Sequence, residues 1–282
     1  MNNPGFQEHF ISINGLNLRY LDWGLEGNPP LICLHGHTGQ AHIWDEFAEA
    51  ISPYYHVYAL DQRGHGDSEW ASDGYDRDRF VEDLSSFIDA LNLPKVTLVG
   101  LSMGGWHSIL YTPNNQDRVD RIILVDIGPE PNQSAIAGRS NRPPTPMEFP
   151  TVQEAIAFAR NTNPWVTDSR LEKDILDRMR QQTNGTWAWK ADPSLYNNPL
   201  TDMQRQESID RYWQSFIAIQ NPILEVRGKE SPTVSDLTIE RMTSSNPNFS
   251  YVDVAGAGHV VTVDKPYDFI AATRGFLGLD HP

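Results

Sequence analysis

A single cysteine, Cys33, stands in the 282 residues, inside an apolar run, so a disulfide framework is excluded and the thiol is expected to be an inert packing group. No apolar run approaches membrane-spanning length, and Met1 to Phe10 has neither a basic segment nor an apolar stretch, so a cytoplasmic protein is expected. Basic residues are in deficit, with 22 Lys and Arg against 37 Asp and Glu for a formal charge of −15. Such a surface repels polyanions over Debye-length distances, and neither nucleic acid nor a membrane is expected as a partner. His-Glu-x-x-His and comparable ligand spacings are missing, so no metal or cofactor is implied. Internal repeats and low-complexity segments are missing too.

What is there suits one large α/β domain with an insertion. His9 to Asn14 and Leu16 to Trp23 read as strands joined at Asn14-Gly15, a dipeptide that favours a tight hairpin. Pro30 to Leu34 is a continuous apolar run of the kind a buried parallel strand shows, and His56 to Leu60, Val96 to Leu101, Val119 to Ile127, Ile223 to Gly228 and Phe249 to Val254 read as further strands. Helical spacing recurs between them, as in Phe80, Leu84, Phe87, Ile88 and Leu91. This alternation predicts a mostly parallel sheet flanked by helices, with sites at the carboxyl ends of its strands. The pattern breaks over residues 130–220, where Arg142-Pro143-Pro144-Thr145-Pro146 cannot be helix or central strand. Capped helical stretches follow, rich in aromatics, and predict a mainly helical lid; residues 1–129 and 221–282 then form the core.

The chemistry centres on Gly100-Leu101-Ser102-Met103-Gly104, where a strand run turns into a helical one. Glycines on both sides permit a turn too tight for side chains, and the serine between them is forced outward. Acyl transfer by such a serine needs a base, a carboxylate to hold the base, and paired N–H donors for the oxyanion. Of nine histidines, His259 is the candidate base, because it sits in a glycine-rich loop after the last strand. His9, His42, His56, His107 and His281 suit surface or packing roles. His35-Gly36-His37 ends a strand, so the backbone N–H groups of His37 and Met103 are the candidate oxyanion donors. The carboxylate can come from Asp126, at a strand end, or from Glu230 or Asp236, while Asp61 is expected to hold its own turn together with Arg63 and Asp67.

With Leu34-His35-Gly36, Asp61-Gln62-Arg63-Gly64-His65-Gly66, Gly100-Leu101-Ser102-Met103-Gly104-Gly105 and Gly258-His259 in order, the chain resembles the α/β-hydrolase superfamily, of the capped esterase and carbon–carbon hydrolase type. The resemblance implies a Ser-acid-His triad and no cofactor. Ser102 stands where dehalogenases and epoxide hydrolases carry aspartate, which excludes both. Leu101 stands where the carbon–carbon hydrolases tend to carry asparagine. Ser231 replaces the family's usual aspartate, a departure shared with the (E)-2-(acetamidomethylene)succinate hydrolase group, which cleaves an amide and takes its acid from the preceding strand. The expected activity is hydrolysis of small-molecule carboxylic esters through Ser102, Asp126 and His259, with Trp187, Trp189 and Trp213 as substrate-binding residues. Amide or carbon–carbon hydrolysis on the same triad, or a ligand-binding receptor with a slow triad, are the alternatives.

Overall fold

The computed structural model describes residues 5–130, 132, 144–196 and 202–279. Arg142 and Pro143 of the proline-rich run, and His281, lie outside the described residues. The strands β1 (Gln7–Ile13), β2 (Leu16–Trp23), β3 (Pro30–Leu34), β4 (His56–Leu60), β5 (Val96–Leu101), β6 (Val119–Val125), β10 (Ile223–Gly228) and β11 (Phe249–Val254) form one sheet in the order β1-β2-β4-β3-β5-β6-β10-β11. β1 and β2 are antiparallel around Asn14 and Gly15, which have φ values of 50° and 80°, the conformation of a hairpin turn matched to strand twist. β2 is antiparallel to β4, and every pairing from β4 to β11 is parallel.

The unbroken apolar runs are explained by burial on both faces. Leu31, Cys33, Val99, Leu101, Ile123 and Val125 face a core shared with α1 (Asp45–Ile51) and α8 (Pro266–Arg274). Their neighbours Ile32, Leu34, Leu98, Ile122 and Leu124 face a second core with α2 (Arg77–Ala90), α3 (Met103–Tyr111) and α7 (Asp236–Ser245). No described helix is long and apolar enough to cross a membrane.

Between β6 and β10 lies the inserted segment. It carries α4 (Val152–Arg160), capped by Thr151, whose hydroxyl accepts from the Glu154 N–H, and α5 (Asp168–Arg178), capped in the same way by Thr167. β7 (Glu148–Phe149), β8 (Met179–Gln181) and β9 (Trp187–Trp189) form a small antiparallel sheet. From Asp168 the sequence pattern predicts a helix as far as Gln181, but residues 179–181 pair with 187–189 across the turn at Gly185, whose φ is +88°. α6 (Asp202–Ala218) lies on the main sheet's helical layer and buries Trp213 and Phe216 in the second core. Ion pairs fasten the segment to the core: Lys190 to Asp67 at 2.7 Å, Lys173 to Asp45 at 2.7 Å and Arg170 to Glu46 at 3.0 Å.

The turn after β5 shows why glycine is needed on both sides of Ser102. A methyl group on Gly104 would lie 2.3 Å from the Leu34 carbonyl oxygen, and one on Gly100 would lie 2.5 Å from the Gly104 backbone. Backbone, unlike a side chain, cannot swing away. Gly104→Ala is therefore expected to destabilise the fold by about 1–3 kcal/mol, the scale of core overpacking, and urea unfolding measures this; an unchanged midpoint would show that the turn has more room than its geometry implies.

Candidate active site

Leu101 pairs with Val125 and Val125 with Val226, so the chain leaves the sheet at one level after β5, β6 and β10. Ser102 follows β5 with φ 50° and ψ −112°, a conformation costly for a residue with a side chain. It is held there by its N–H donating to Val125 O at 3.0 Å and its carbonyl accepting from Trp106 N at 3.1 Å. Met103 opens α3, so its N–H is one of the first-turn donors that no helical carbonyl can satisfy. Across from it, Gly36 packs so close that a methyl there would lie 3.3 Å from Ser102 Cβ. His37 and Thr38 are the corner of a turn closed by Gly39 N donating to Gly36 O at 3.0 Å.

A buried polar network shapes that turn from behind. The His35 Nδ1–H donates to Gly36 O at 2.7 Å, and its Nε2 accepts from Gln62 N at 3.0 Å. The Gln62 side-chain amide donates to His35 O, and its oxygen accepts from His107 Nδ1 at 2.6 Å. Asp61, also fully buried, accepts from the N–H groups of Ala41 at 2.6 Å and Asp67 at 2.9 Å. Its cation is Arg19 at 3.2 Å; Arg63 instead forks onto Asp83 at 2.6 and 2.9 Å. Asp61 and Asp67 thus hold the loop as the sequence suggests, while Arg63 ties it to α2.

Asp126 is fully buried at φ 49° and accepts three hydrogen bonds: from His259 Nδ1 at 2.7 Å, from Ser231 Oγ at 2.5 Å and from Gly228 N at 3.2 Å. Ser231 Oγ in turn accepts from Thr233 N at 3.1 Å, and Thr233 Oγ1 lies 3.1 Å from His259 Nδ1. Glu230 is exposed and donates its own N–H to Ala257 O; among the described residues no hydrogen bond or ion pair joins its carboxylate to His259. Asp236 is engaged by Arg227 at 2.7 Å. Of the three carboxylates left open by the sequence, Asp126 is the one brought to the His259 ring. Asp264 completes the loop by accepting from Gly258 N at 2.8 Å, and burial raises its pKa to about 6 against the pull of that N–H.

Two contributors escape a reading of motifs. Glu225, in the run Ile223-Leu224-Glu225-Val226, pairs with Leu124, two residues before Asp126; its Oε1 accepts from Ile127 N at 3.0 Å. Burial, then the Asp126 charge, push its pKa well up. A charged residue inside an otherwise continuous apolar strand was the signal. For Thr233 there was none.

A cavity of about 270 Å³ opens beside His259, walled by Asn163, Trp165, Glu230, Pro232 and Asp264 among others. Trp187, Trp189 and Trp213 are not among its walls; the aromatic ring that reaches it is Trp165. Trp189 packs against Phe149 and donates Nε1–H to Pro146 O at 2.8 Å, and Trp187 flanks it on β9, half-buried. Trp213 donates to Glu130 at 3.0 Å and stacks under Arg241, buried with Phe216 because α6 must cover its apolar stripe. Trp213 thus lies in the second core rather than in the wall of the cavity beside His259. His42, Asp45 and Asp177 cluster closely enough to suggest a metal, but Lys173 bridges both carboxylates at 2.7 and 2.6 Å and Arg19 lies 2.8 Å from His42 Nε2, so cations already fill that role.

The family model for the alpha/beta hydrolase fold matches residues 29–266. The chain is 30% identical to 3-hydroxybutyrate-oligomer hydrolase of Cupriavidus necator, over 95% of this chain and 96% of that protein. It is 27% identical to esterase Rv0045c of Mycobacterium tuberculosis, over 91% and 85% of the two. Its fold matches the crystal structure of E-2-(acetamidomethylene)succinate hydrolase with a TM-score of 0.85 at 21% identity, over 97% and 99%.

Behind the Ser102 turn, His35, His65 and His107 are all fully buried, and burial lowers each pKa below the ordinary 6.5. They stay neutral in the fold while the unfolded chain takes up protons below that value, so stability falls as pH drops through and below 6.5. Asp264 acts with the opposite sign, since its raised pKa lets the fold bind a proton between 3.8 and about 6 that the unfolded chain releases. Each histidine contributes a slope of up to about 1.4 kcal/mol per pH unit. Thermal unfolding between pH 7.5 and 6 is expected to show Tm falling with pH, and His107→Gln to flatten the slope; a slope unaffected by that change would mean the ring protonates in the folded state.

Proposed function

The chain belongs to the α/β hydrolase fold family, and from that membership we propose that it is a serine hydrolase acting on small-molecule carboxylic esters through an acyl-enzyme. The observation that carries the reading is the Asp126–His259 hydrogen bond of 2.7 Å at the rim that Ser102 shares. In the proposed mechanism Ser102 Oγ attacks the ester carbonyl while His259 Nε2 takes its proton. Asp126 fixes Nδ1–H and offsets the imidazolium charge that forms. The oxyanion is met by the His37 and Met103 N–H groups, whose donors need no reorganisation because the turns that present them are preformed. His259 then protonates the departing alcohol, and water, activated by the same ring, releases the acid.

Ester rather than amide cleavage is supported by the two relatives named for ester chemistry, an esterase and a hydrolase of a hydroxy-acid oligomer, each with most of its length aligned. Amide hydrolysis is favoured by one observation, the acid at the end of β6 with Ser231 at the usual acid position. The inserted segment, residues 130–220 with its aromatic content, is proposed as a cap that governs access, Trp187 and Trp189 shaping its underside. Its ion pairs to Asp67, Asp45 and Glu46 fit a cover fastened at the rim.

Turnover of p-nitrophenyl esters tests the assignments. Ser102→Ala is expected to lower kcat by about four orders of magnitude or more, and Asp126→Asn by about three to four. Glu230→Gln is expected to change it less than about fivefold, the scale of an exposed charge. Large loss at Glu230 with little at Asp126 would move the acid to Glu230; full activity in Ser102→Ala would end the reading.

A further inference from the structure

Arg178 ends α5 and reaches from the inserted segment to the turn after β3, where its Nη2 lies 3.4 Å from Thr38 Oγ1. The guanidinium is underused. Nη1 is 3.3 Å from Asp174 Oδ2, a long contact four residues back on the same helix, and the Nε–H is buried with no partner among the described residues. The buried Tyr196 hydroxyl lies between Thr38 and Arg178, within hydrogen-bonding influence of both but with no well-formed bond to either. A guanidinium and two hydroxyls therefore converge with only long contacts among them, and the one carboxylate in reach of the fork, Asp174, is 3.3 Å away. A buried guanidinium N–H left unmatched is expensive, and an anionic oxygen brought to the fork would satisfy the Nε–H that the neighbouring hydroxyls leave without a partner.

The surroundings hold these donors in place. Trp189 lies under the guanidinium, its ring centre 5.1 Å away, which fixes the plane of the fork. Thr38 itself is held at φ 56°, a strained conformation for a β-branched residue. The cluster is also near the reacting centre. Thr38 is two residues from Gly36, which packs on Ser102, and two residues span at most roughly 7 Å. The Arg178 charge is felt at His35 and His65, where it adds to burial in keeping both rings neutral.

We propose that Arg178, Tyr196 and Thr38 form an anion subsite beside the Ser102 turn that seats a carboxylate carried by the substrate, making the preferred substrates esters with a free carboxylate. The Nε and Nη2 edge offers the parallel pair of N–H groups that a carboxylate takes side by side, and the Tyr196 hydroxyl adds a third donor. Asp174 stays on the opposite edge at Nη1 and limits how much positive charge the site presents.

The inference rests on the hydrolase reading for its meaning but is tested apart from it, by calorimetric binding to Ser102→Ala, which cannot turn substrate over. Monomethyl glutarate is expected to bind about tenfold or more tightly than methyl pentanoate, its uncharged counterpart, the scale of one charge-assisted hydrogen bond. Adding Arg178→Gln is expected to remove that preference, Arg178→Lys to keep part of it, and Tyr196→Phe to weaken it with the guanidinium in place. Circular dichroism checks that each variant is folded, and Tyr196→Phe, which deletes one hydroxyl, serves if Arg178→Gln is not. Equal binding of the two probes, or a preference that survives both Arg178→Gln and Tyr196→Phe, would overturn the subsite. Failure of the hydrolase reading would instead be seen as no turnover of p-nitrophenyl esters by the wild-type protein.

Discussion

One buried carboxylate sets the terms for the rest of the site. Asp126 is out of reach of water, and an ion so placed is tolerated only when donors meet it on every side. Those donors come from three places in the chain: the end of β10 through Gly228, the loop after it through Ser231, and the loop after β11 through His259. β6, β10 and β11 are neighbours in the sheet, so the pairing of strands is what delivers them to one point. Glu225 illustrates the constraint from the other side. Burial, and then the Asp126 charge, push the pKa of this second buried acid well up, which opposes a second negative charge in the same region.

The same economy explains the departure at Ser231. A carboxylate there would face Asp126, and two ions would share the dry rim. A hydroxyl donates to Asp126 instead, while its own oxygen accepts from Thr233 N. The residue that breaks the commonest family pattern thereby becomes a support for the acid on the neighbouring strand. On the other side of Ser102, the turn at His37 and Thr38 is shaped from behind by His35, Gln62 and His107 and touched from above by Arg178. Ser102, Thr38 and Asp126 all carry positive φ, and the three strained residues surround the reacting position.

Much of this was written in local sequence. Continuous apolar runs marked the parallel strands because both faces are covered, Asn14-Gly15 marked the hairpin, and the glycines around Ser102 marked a turn with no space for side chains. What local pattern did not carry was partnership between distant segments. Met179-Arg180-Gln181 continues a helical spacing, yet forms a strand because 187–189 offers it a ladder. Trp213 belongs to an aromatic stripe at helical spacing, and such a stripe serves a core or a pocket alike until the helix is docked; α6 docks on the sheet layer. Trp165, in a plain loop, reaches the cavity beside His259 without any periodic signal. Arg63 found Asp83, and Arg178 found Thr38, across separations that no motif spans.

The central claim is that Ser102 is the nucleophile and that His259, held by Asp126, activates it. The most direct measurement is peptide mass spectrometry after reaction with a fluorophosphonate, with the rate of labelling followed in the wild-type protein and in Asp126→Asn. The account predicts one adduct per chain, on the peptide that contains Ser102, and labelling slowed by orders of magnitude when Asp126 loses its charge. An adduct on another serine, or labelling of Ser102 at the same rate without the Asp126 carboxylate, would contradict it.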